Sequence, residues 1–344
     1  MSSDIGYNEH MSKEKHTIYD REHLELLLKV ARRYYIDNTK QSEIAAEIGY
    51  SRVTVSRFLA QARASGIVKI EISHPSERLL GLERQLRDIY GLKEVRVVAA
   101  TEAEIKSAIG AAAADLLLTH CGPCSTVAIS NGRAVAATIA KMPHRTWTSS
   151  CVVPILGMTG SGLPFIDSPD LCRAASKKLG GSYWILPVPL VFETELAARA
   201  MSYEPSVHRT LDLAARADVA LVGVGAVSIA ESSPLLRKWI TNPIQRELAS
   251  KHAVAHLSGH YLDAQGQHVD ASLCRRTVCL HPSKLRDIPF VLGVAYGVEK
   301  VVAIKAVMQG AYIDALVTDD YTAAALVEDA QGQVAPHELV RDDS

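Results

Sequence analysis

The sequence lacks any overall charge bias: 37 lysines and arginines stand against 38 acidic residues, a formal net charge of -1 over 344 residues. No global field therefore draws the chain to a polyanion, and affinity for nucleic acid has to come from a local patch. It also lacks an uninterrupted apolar run long enough to span a bilayer, and residues 1–16, MSSDIGYNEHMSKEKH, are polar where a secretion signal carries an apolar core. A cytoplasmic protein with no membrane partner is expected. The chain has only six cysteines, scattered and without a secretion signal, which is the pattern of reduced thiols rather than of a disulfide framework. It has no internal repeat and no low-complexity tract.

What is present is an ordinary globular composition, 48% hydrophobic and 22% charged, in a chain long enough for two domains. Residues 1–18 are polar and aperiodic and read as a flexible arm. From Leu24 the apolar positions Leu24, Leu27, Leu28, Ala31 and Tyr35 recur at helical spacing, with Glu25, Lys29, Arg32 and Arg33 between them. Two shorter helical patterns follow at 40–48 and 51–65. The run IVKIEI after Gly66 alternates like a short strand, and His74-Pro75-Ser76 breaks it. The expected division is a helix-turn-helix domain of winged type over 19–75, a linking helix over 76–91 with leucines at 79, 82 and 86, an α/β domain over 92–332, and a polar tail over 333–344.

Within the larger domain, β-branched apolar runs (VRVVA, TVAIS, CVVPIL, YWILPV, DVALVGV, FVLGVA, IDALVT) alternate with helical stretches such as EIKSAIGAAAADLLL and EKVVAIKAVMQG. Continuous apolar strands alternating with helices imply a parallel sheet covered on both faces, hence a doubly wound α/β fold.

The segment QSEIAAEIGYSRVTVSRFL, residues 41–59, carries the sharpest local signature. Ala45, Gly49 and Val55 fall where two crossed helices need a small residue, a left-handed turn and a buried branched side chain. Ile44, Ile48, Phe58 and Leu59 supply the shared core, and Ser51 can cap the second helix. Between Gly49 and Ile70 there are four cations, Arg52, Arg57, Arg63 and Lys69, and no carboxylate. Ser51, Arg52, Thr54, Ser56 and Arg57 lie on the recognition helix or its entry, within reach of base edges or phosphates, and Gln41 opens the supporting helix toward the backbone of the duplex.

Other patterns carry less. Cys121-Gly122-Pro123-Cys124 spells a dithiol, but it falls between a helical run and a strand, and the next pair, Cys274 and Cys279, is not spaced as zinc ligands are; a turn is the better reading. VALVGVGAVS offers Gly223 and Gly225 after a strand but has Ser228 in place of a third glycine, so close approach to a small ligand explains it without a dinucleotide. The thirteen histidines are dispersed, none in a helical pair with acidic neighbours. No metal, cofactor or catalytic residue is expected.

The stretch ARRYYIDNTKQSEIAAEIGYSRVTVSRFLAQARASGIVKIEI resembles the N-terminal domain of the SorC-type (SorC/DeoR-like) sugar-binding transcriptional regulators of bacteria. The resemblance continues through VVPILGMTGSG, CRAASKKLGGSYWILPVPL, ALVGVGAVS, GHYLDAQGQ and VLGVAYGVEKVVAIKAVMQGAYIDALVTDDYTAAALV. It implies an effector domain similar to sugar-phosphate isomerases and deaminases, with ligand at the carboxyl ends of the strands, and a homotetramer bound to operator DNA near a carbohydrate operon. Carried over by position, the ligand loops are Ser130-Asn131-Gly132-Arg133, Gly157-Met158-Thr159-Gly160 and Gly223 to Ala226, with Asp263 and Lys300. The first loop departs from the family in having Asn131 and then Ala134 where an aromatic and a hydroxyl residue are usual, which points toward a free sugar or sugar alcohol. Gly132 and Gly157 follow apolar strands and let backbone N–H groups approach an anion or hydroxyl. Asp263 can accept from sugar hydroxyls, and Lys300 can meet a phosphate or hydroxyl.

The expected function is that of a transcriptional regulator, a repressor of a carbohydrate catabolic operon, controlled by a sugar, sugar alcohol or sugar phosphate. The alternative is an isomerase- or deaminase-like enzyme with an appended DNA-binding domain. That would need a base beside the sugar carbon, and no carboxylate and histidine set is evident for the task.

Overall fold

The computed structural model describes residues 21–68, 75–160, 166–227 and 236–332. The arm at 1–18, Lys69 and most of the IVKIEI run, and the tail at 333–344 lie outside the described residues. The chain divides into two compact units, Met1–Ser73 and His74–Ser344.

In the first unit, α1 (Arg21–Tyr35), α2 (Gln41–Ile48) and α3 (Arg52–Ala64) enclose a small core. Leu27, Val30 and Ala31 of α1 meet Ile44 and Ala45 of α2 and Val55, Phe58, Leu59 and Ala62 of α3. The buried face of α1 is rotated from the one its leucines suggest: Val30 is fully buried and Leu28 is 44% exposed. The bases of α1 accompany that choice. Lys29 and Arg33 pair with Glu47 of α2, and Arg33 also with Asp37, so the helix presents a cationic side to α2 while Leu28 lies outward. Gly49 ends α2 at φ 73°, a conformation that costs a glycine little, and Tyr50 N–H donates to Ala45 O at 3.0 Å.

The second unit runs α4 (Pro75–Tyr90), β1 (Glu94–Val98), α5 (Glu102–Thr119), β2 (Thr126–Ile129), α6 (Arg133–Lys141), β3 (Cys151–Pro154), α7 (Ser168–Leu179), β4 (Ser182–Tyr183), α8 (Glu195–Ser202), α9 (Pro205–Ala215) and β5 (Val219–Ala226). It continues through α10 (Asn242–Ser250), β6 (Ala253–Leu257), β7 (His260–Asp263), β8 (His268–Val269), α11 (Ser272–Arg275), β9 (Phe290–Val294), α12 (Val301–Gln309), β10 (Ala315–Asp319) and α13 (Asp320–Ala330). The main sheet is parallel in the order β1-β10-β9-β5-β2-β3-β4. Its alternation is complete across the central strands. Val127, Ile129, Val219, Leu221 and Leu292 pack on one face with Ile109 and Leu117 of α5 and Val135 and Ile139 of α6. Ala128, Ala220, Val222 and Val291 pack on the other with Leu86 of α4, Ile304 and Val307 of α12 and Leu326 of α13. Both faces are dry, as a doubly wound sheet requires.

Helix α4 belongs to this core rather than standing apart. Leu86 is fully buried, Glu83 accepts from Val97 N–H at 2.9 Å, Tyr90 donates to Leu326 O at 3.1 Å, and Arg78 pairs with Asp320.

Of the run YWILPV, which reads as a strand, only the start pairs with β3: Tyr183 follows Ser182 in register, and Trp184 N–H donates to Val152 O at 2.8 Å. Pro187 and Pro189 remove ladder donors, and Leu186 and Val188 leave the sheet for a separate small cluster with Ala198, Val207 and Val278. The antiparallel β6, β7 and β8 add to the carboxyl end of β5 and have no counterpart in the sequence-based expectation.

Candidate functional site

Strand β2 has β3 on one side and β5 on the other, so the chain leaves the middle of the sheet in opposite directions. At such a reversal the loops at the carboxyl ends part and leave a crevice. The loop after β2 supplies Ser130, Asn131, Gly132 and Arg133; the segment after β3 supplies Leu156 and Thr159; β5 supplies Gly223, Val224 and Gly225; the end of β6 and the turn beyond it supply His256, Ser258 and Gly259. Ile166, Leu190, Leu236 and Val294 complete an apolar lining, and Lys300 closes the rim.

Of the ligand residues expected from the sequence, Ser130, Asn131, Gly132, Arg133, Thr159, Gly225 and Lys300 thus meet around one pocket. Gly157 and Asp263 are not in its wall. A Cβ on Gly157 would stand 2.8 Å from Val188 O and 2.9 Å from Pro189 O, so this glycine serves the crossing of two chain segments. The Asp263 carboxylate accepts from Gln265 N–H at 3.0 Å and Gln267 N–H at 2.8 Å, closing the turn between β7 and β8.

The pocket is held by a residue the sequence reading passed over. Asp167, the N-cap of α7, accepts from Asn131 Nδ2 at 2.9 Å, from Thr159 Oγ1 at 2.8 Å, and from the backbone N–H groups of Thr159, Gly160 and Ser168. Gly132 N-caps α6 at φ 123°, a value only glycine adopts readily, and its N–H donates to Ile166 O at 3.1 Å. Ser130 Oγ accepts from Gly223 N–H at 3.1 Å, joining the β2 loop to β5. The loop after β2, the segment after β3 and strand β5 are thereby fixed to one another.

Three polar atoms in this wall are buried and have no hydrogen-bond partner among the described residues: Asn131 Oδ1, His256 Nε2 and Ser258 Oγ. Such groups are costly unless something polar meets them. Burial pushes the His256 imidazole down to about 4, so at neutral pH it is uncharged and offers one donor and one acceptor. Lys300 ends a 3-10 turn that leads into α12, with Nζ 5.5 Å from the centroid of the Tyr296 ring. The turn is anchored at Gly297, whose N–H donates to Asp319 Oδ2 and Thr322 Oγ1, each at 2.9 Å. Among the described residues the lining carries two cations, Arg133 and Lys300, and no carboxylate.

His256 was missed because it sits on a strand that the sequence hides, and Ser258 because it lies in the turn that ends that strand. Asp167 was missed because it is 36 residues from Asn131 and has no motif of its own. Cys121 and Cys124 lie at a turn in which Gly122 N–H donates to Ser125 Oγ at 2.8 Å, and burial pushes the Cys121 thiol up to about 12, opposite to the low value a redox dithiol needs.

In the first unit, Ser51 caps α3 by accepting from Thr54 N–H at 3.1 Å, and Arg52, Ser56 and Arg57 are exposed on that helix, with Thr54 half-buried beside the cap. Val55 and Phe58, on the opposite side, are buried. Gln41 is half-buried at the start of α2. An exposed helix face bearing arginines and hydroxyls, rigidly set by a small core, is what major-groove readout requires.

The family model for "Putative sugar-binding domain" matches residues 74–328. The chain is 34% identical over 306 residues to the transcriptional regulator LsrR of Escherichia coli strain K12, spanning 88% of this chain and 94% of that relative. Among solved structures it is similar to the full-length sorbitol operon regulator SorC of Klebsiella pneumoniae, with a TM-score of 0.72 and 29% identity over 89% of this chain and 99% of that one. The probable sor operon regulator of Shigella flexneri matches with a TM-score of 0.68 and 26% identity over 72% of this chain and 99% of that one.

Proposed function

The chain belongs to the SorC-type family of sugar-binding transcriptional regulators, and from that premise we propose that its effector is a phosphorylated sugar or sugar alcohol held in the pocket at the β2/β5 reversal. The pairing of Arg133 and Lys300 with a lining free of carboxylates among the described residues carries this reading. Two cations in a partly apolar crevice favour an anion, and the missing hydroxyl at Ala134 is offset by their charge. Asn131 Oδ1, His256 and Ser258 supply donors and acceptors for sugar hydroxyls, while Leu156, Leu190 and Leu236 exclude water.

The chain acts as a binding protein rather than an enzyme. Isomerisation or deamination of a sugar phosphate needs a base at the sugar carbon, and Asp167, the carboxylate that braces the pocket loops, is already saturated by donors. Ser51, Arg52, Thr54, Ser56, Arg57 and Gln41 contact operator DNA. Because one helix-turn-helix covers one half-site, the working species is a homo-oligomer, a tetramer in keeping with the family, and it acts in the cytoplasm as a repressor. Effector binds the DNA-competent and DNA-released arrangements with different affinity, which is the condition for any ligand to shift them.

A thermal-shift series on the full chain, pairing free sugars and polyols with their phosphate esters, tests the reading. A ligand that binds only the folded state raises its stability, so a phosphate ester should raise the melting temperature where its parent sugar does not. Equal shifts for ester and parent would remove the charge argument. Accumulation of a product from a shifting ester would make the protein an enzyme.

A further inference from the structure

Beside the effector pocket, on the hairpin that follows it, three residues far apart in type of element converge. His260 begins β7, His268 begins β8, and Cys274 lies in α11. The register pairs Leu262 with His268 and Tyr261 with Val269, so His260, Leu262 and His268 share one face of the hairpin while Tyr261 and Val269 take the other. His260 Nδ1 and His268 Nε2 stand 2.8 Å apart, and with Cys274 Sγ they form a set whose ligand atoms all lie within 4.8 Å of one another. A third ring, His281, lies 4.8 Å from His268 and 5.1 Å from His260, centroid to centroid. Its Nδ1 faces Ser283 Oγ at 2.8 Å, which leaves Nε2 as its other ring nitrogen.

We propose that His260, His268 and Cys274, with His281 as the nearest fourth donor, bind one divalent transition-metal ion of the zinc type. Two imidazoles and a thiolate form a borderline-soft donor set suited to zinc, cobalt or nickel and ill suited to magnesium or calcium. His260 and Cys274 are buried and His268 half-buried, so the ion gives up water for a largely buried site whose most accessible ligand is His268. A zinc-type ion takes cysteine as its thiolate, so binding releases one proton, from Cys274 to solvent. The proton shared between the two imidazoles moves to a ring nitrogen facing away from the metal. Ser258 and Gly259 of the pocket wall directly precede His260, so the ion would stiffen the segment that carries them.

Cobalt(II) titrated into chelator-treated full-length protein tests the site. One equivalent should produce a thiolate-to-cobalt charge-transfer band with the visible bands of tetrahedral cobalt, and zinc should bleach both. His268→Ala, which removes a half-exposed ligand, should weaken binding at least about tenfold. Its melting curve in chelator establishes that it is folded. His252→Ala, at an exposed remote histidine, should titrate as wild type. Absence of the thiolate band, wild-type affinity in a folded His268→Ala, or loss of binding in His252→Ala would each overturn the assignment.

Discussion

Asn131 Nδ2 donates to Asp167 Oδ1 at 2.9 Å, and that bond turns the other end of the same amide, Asn131 Oδ1, into the pocket wall, where no described residue meets it. One carboxylate thus sets both the position of the β2 loop and the orientation of a ligand-facing acceptor. Replacing Asp167 with Ala strands two buried donors on Thr159 as well as the Asn131 amide. Stability should fall by about 1–3 kcal/mol, read from chemical denaturation, and the effector-induced change in DNA binding should disappear even where the protein remains folded. A variant that keeps the full effector response would mean that Asn131 does not face the ligand.

Asp263 should behave in the opposite way. Its carboxylate closes the β7–β8 turn and does not line the pocket. Asp263→Ala should cost about 1 kcal/mol of stability and leave the effector concentration for half-maximal release of DNA unchanged. A large shift in that concentration would restore Asp263 to the ligand site.

What the sequence made legible follows the physics of each element. Central parallel strands such as DVALVGV are buried on both faces, so they stand out as apolar runs. The helix-turn-helix is legible because Ala45, Gly49 and Val55 each answer a steric demand at fixed spacing. Strands β6 and β7 are not, since AVAHLSGHYLD interleaves histidine and serine with its apolar residues and reads as a polar segment. For the same reason the pocket residues His256 and Ser258, and the convergence of His260 with His268, are products of strand pairing that no local period announces. Asp263 and Asp167 are the mirror-image cases: an acid in a polar turn reads equally as ligand or cap, and only the hydrogen bonds separate the two.

The buried histidines give stability a pH dependence of definite sign. His256 is pushed from 6.5 to about 4 by burial, so below pH 6.5 the unfolded chain takes up a proton that the folded one refuses. Its contribution is complete above 6.5 and is lost progressively as pH falls toward 4, amounting to about 3 kcal/mol at the limit. His260, also depressed, adds a slope of the same sign. Denaturation midpoints should therefore drop between pH 7 and pH 5, and His256→Asn should lessen the drop. An unchanged slope in that variant would show that His256 is not neutral in the folded state.

On the DNA side, Arg52 is exposed and its removal touches no packing, so Arg52→Ala should weaken operator binding by about 1–3 kcal/mol at fixed salt with an unaltered melting temperature. Ser51→Ala differs in kind. It deletes the cap accepted from Thr54 N–H and should lower stability by about 1 kcal/mol in addition to any contact it loses. Gel-shift titration beside thermal melting separates the two, and an Arg52→Ala protein that binds as wild type would remove Arg52 from the interface.

The charge of the effector can be read from Lys300 and Arg133. Lys300 follows the Gly297 anchor made by Asp319 and Thr322, so its backbone is fixed by bonds that a side-chain change leaves intact, and Arg133 is exposed at the start of α6. Lys300→Met and Arg133→Met keep length and stem packing while removing a cation each, so neither should disturb operator binding. Loss of a charge-assisted contact to a phosphate is worth about 1.5–3 kcal/mol, or roughly tenfold to a hundredfold in affinity. A contact to a neutral hydroxyl is worth less, about 0.5–1.5 kcal/mol. Calorimetry of each variant with a phosphate ester and with its parent sugar should therefore show the ester penalised and the parent nearly unaffected. Equal penalties for both would place hydroxyls, not a phosphate, at the cationic rim, and the effector would be an uncharged sugar or polyol.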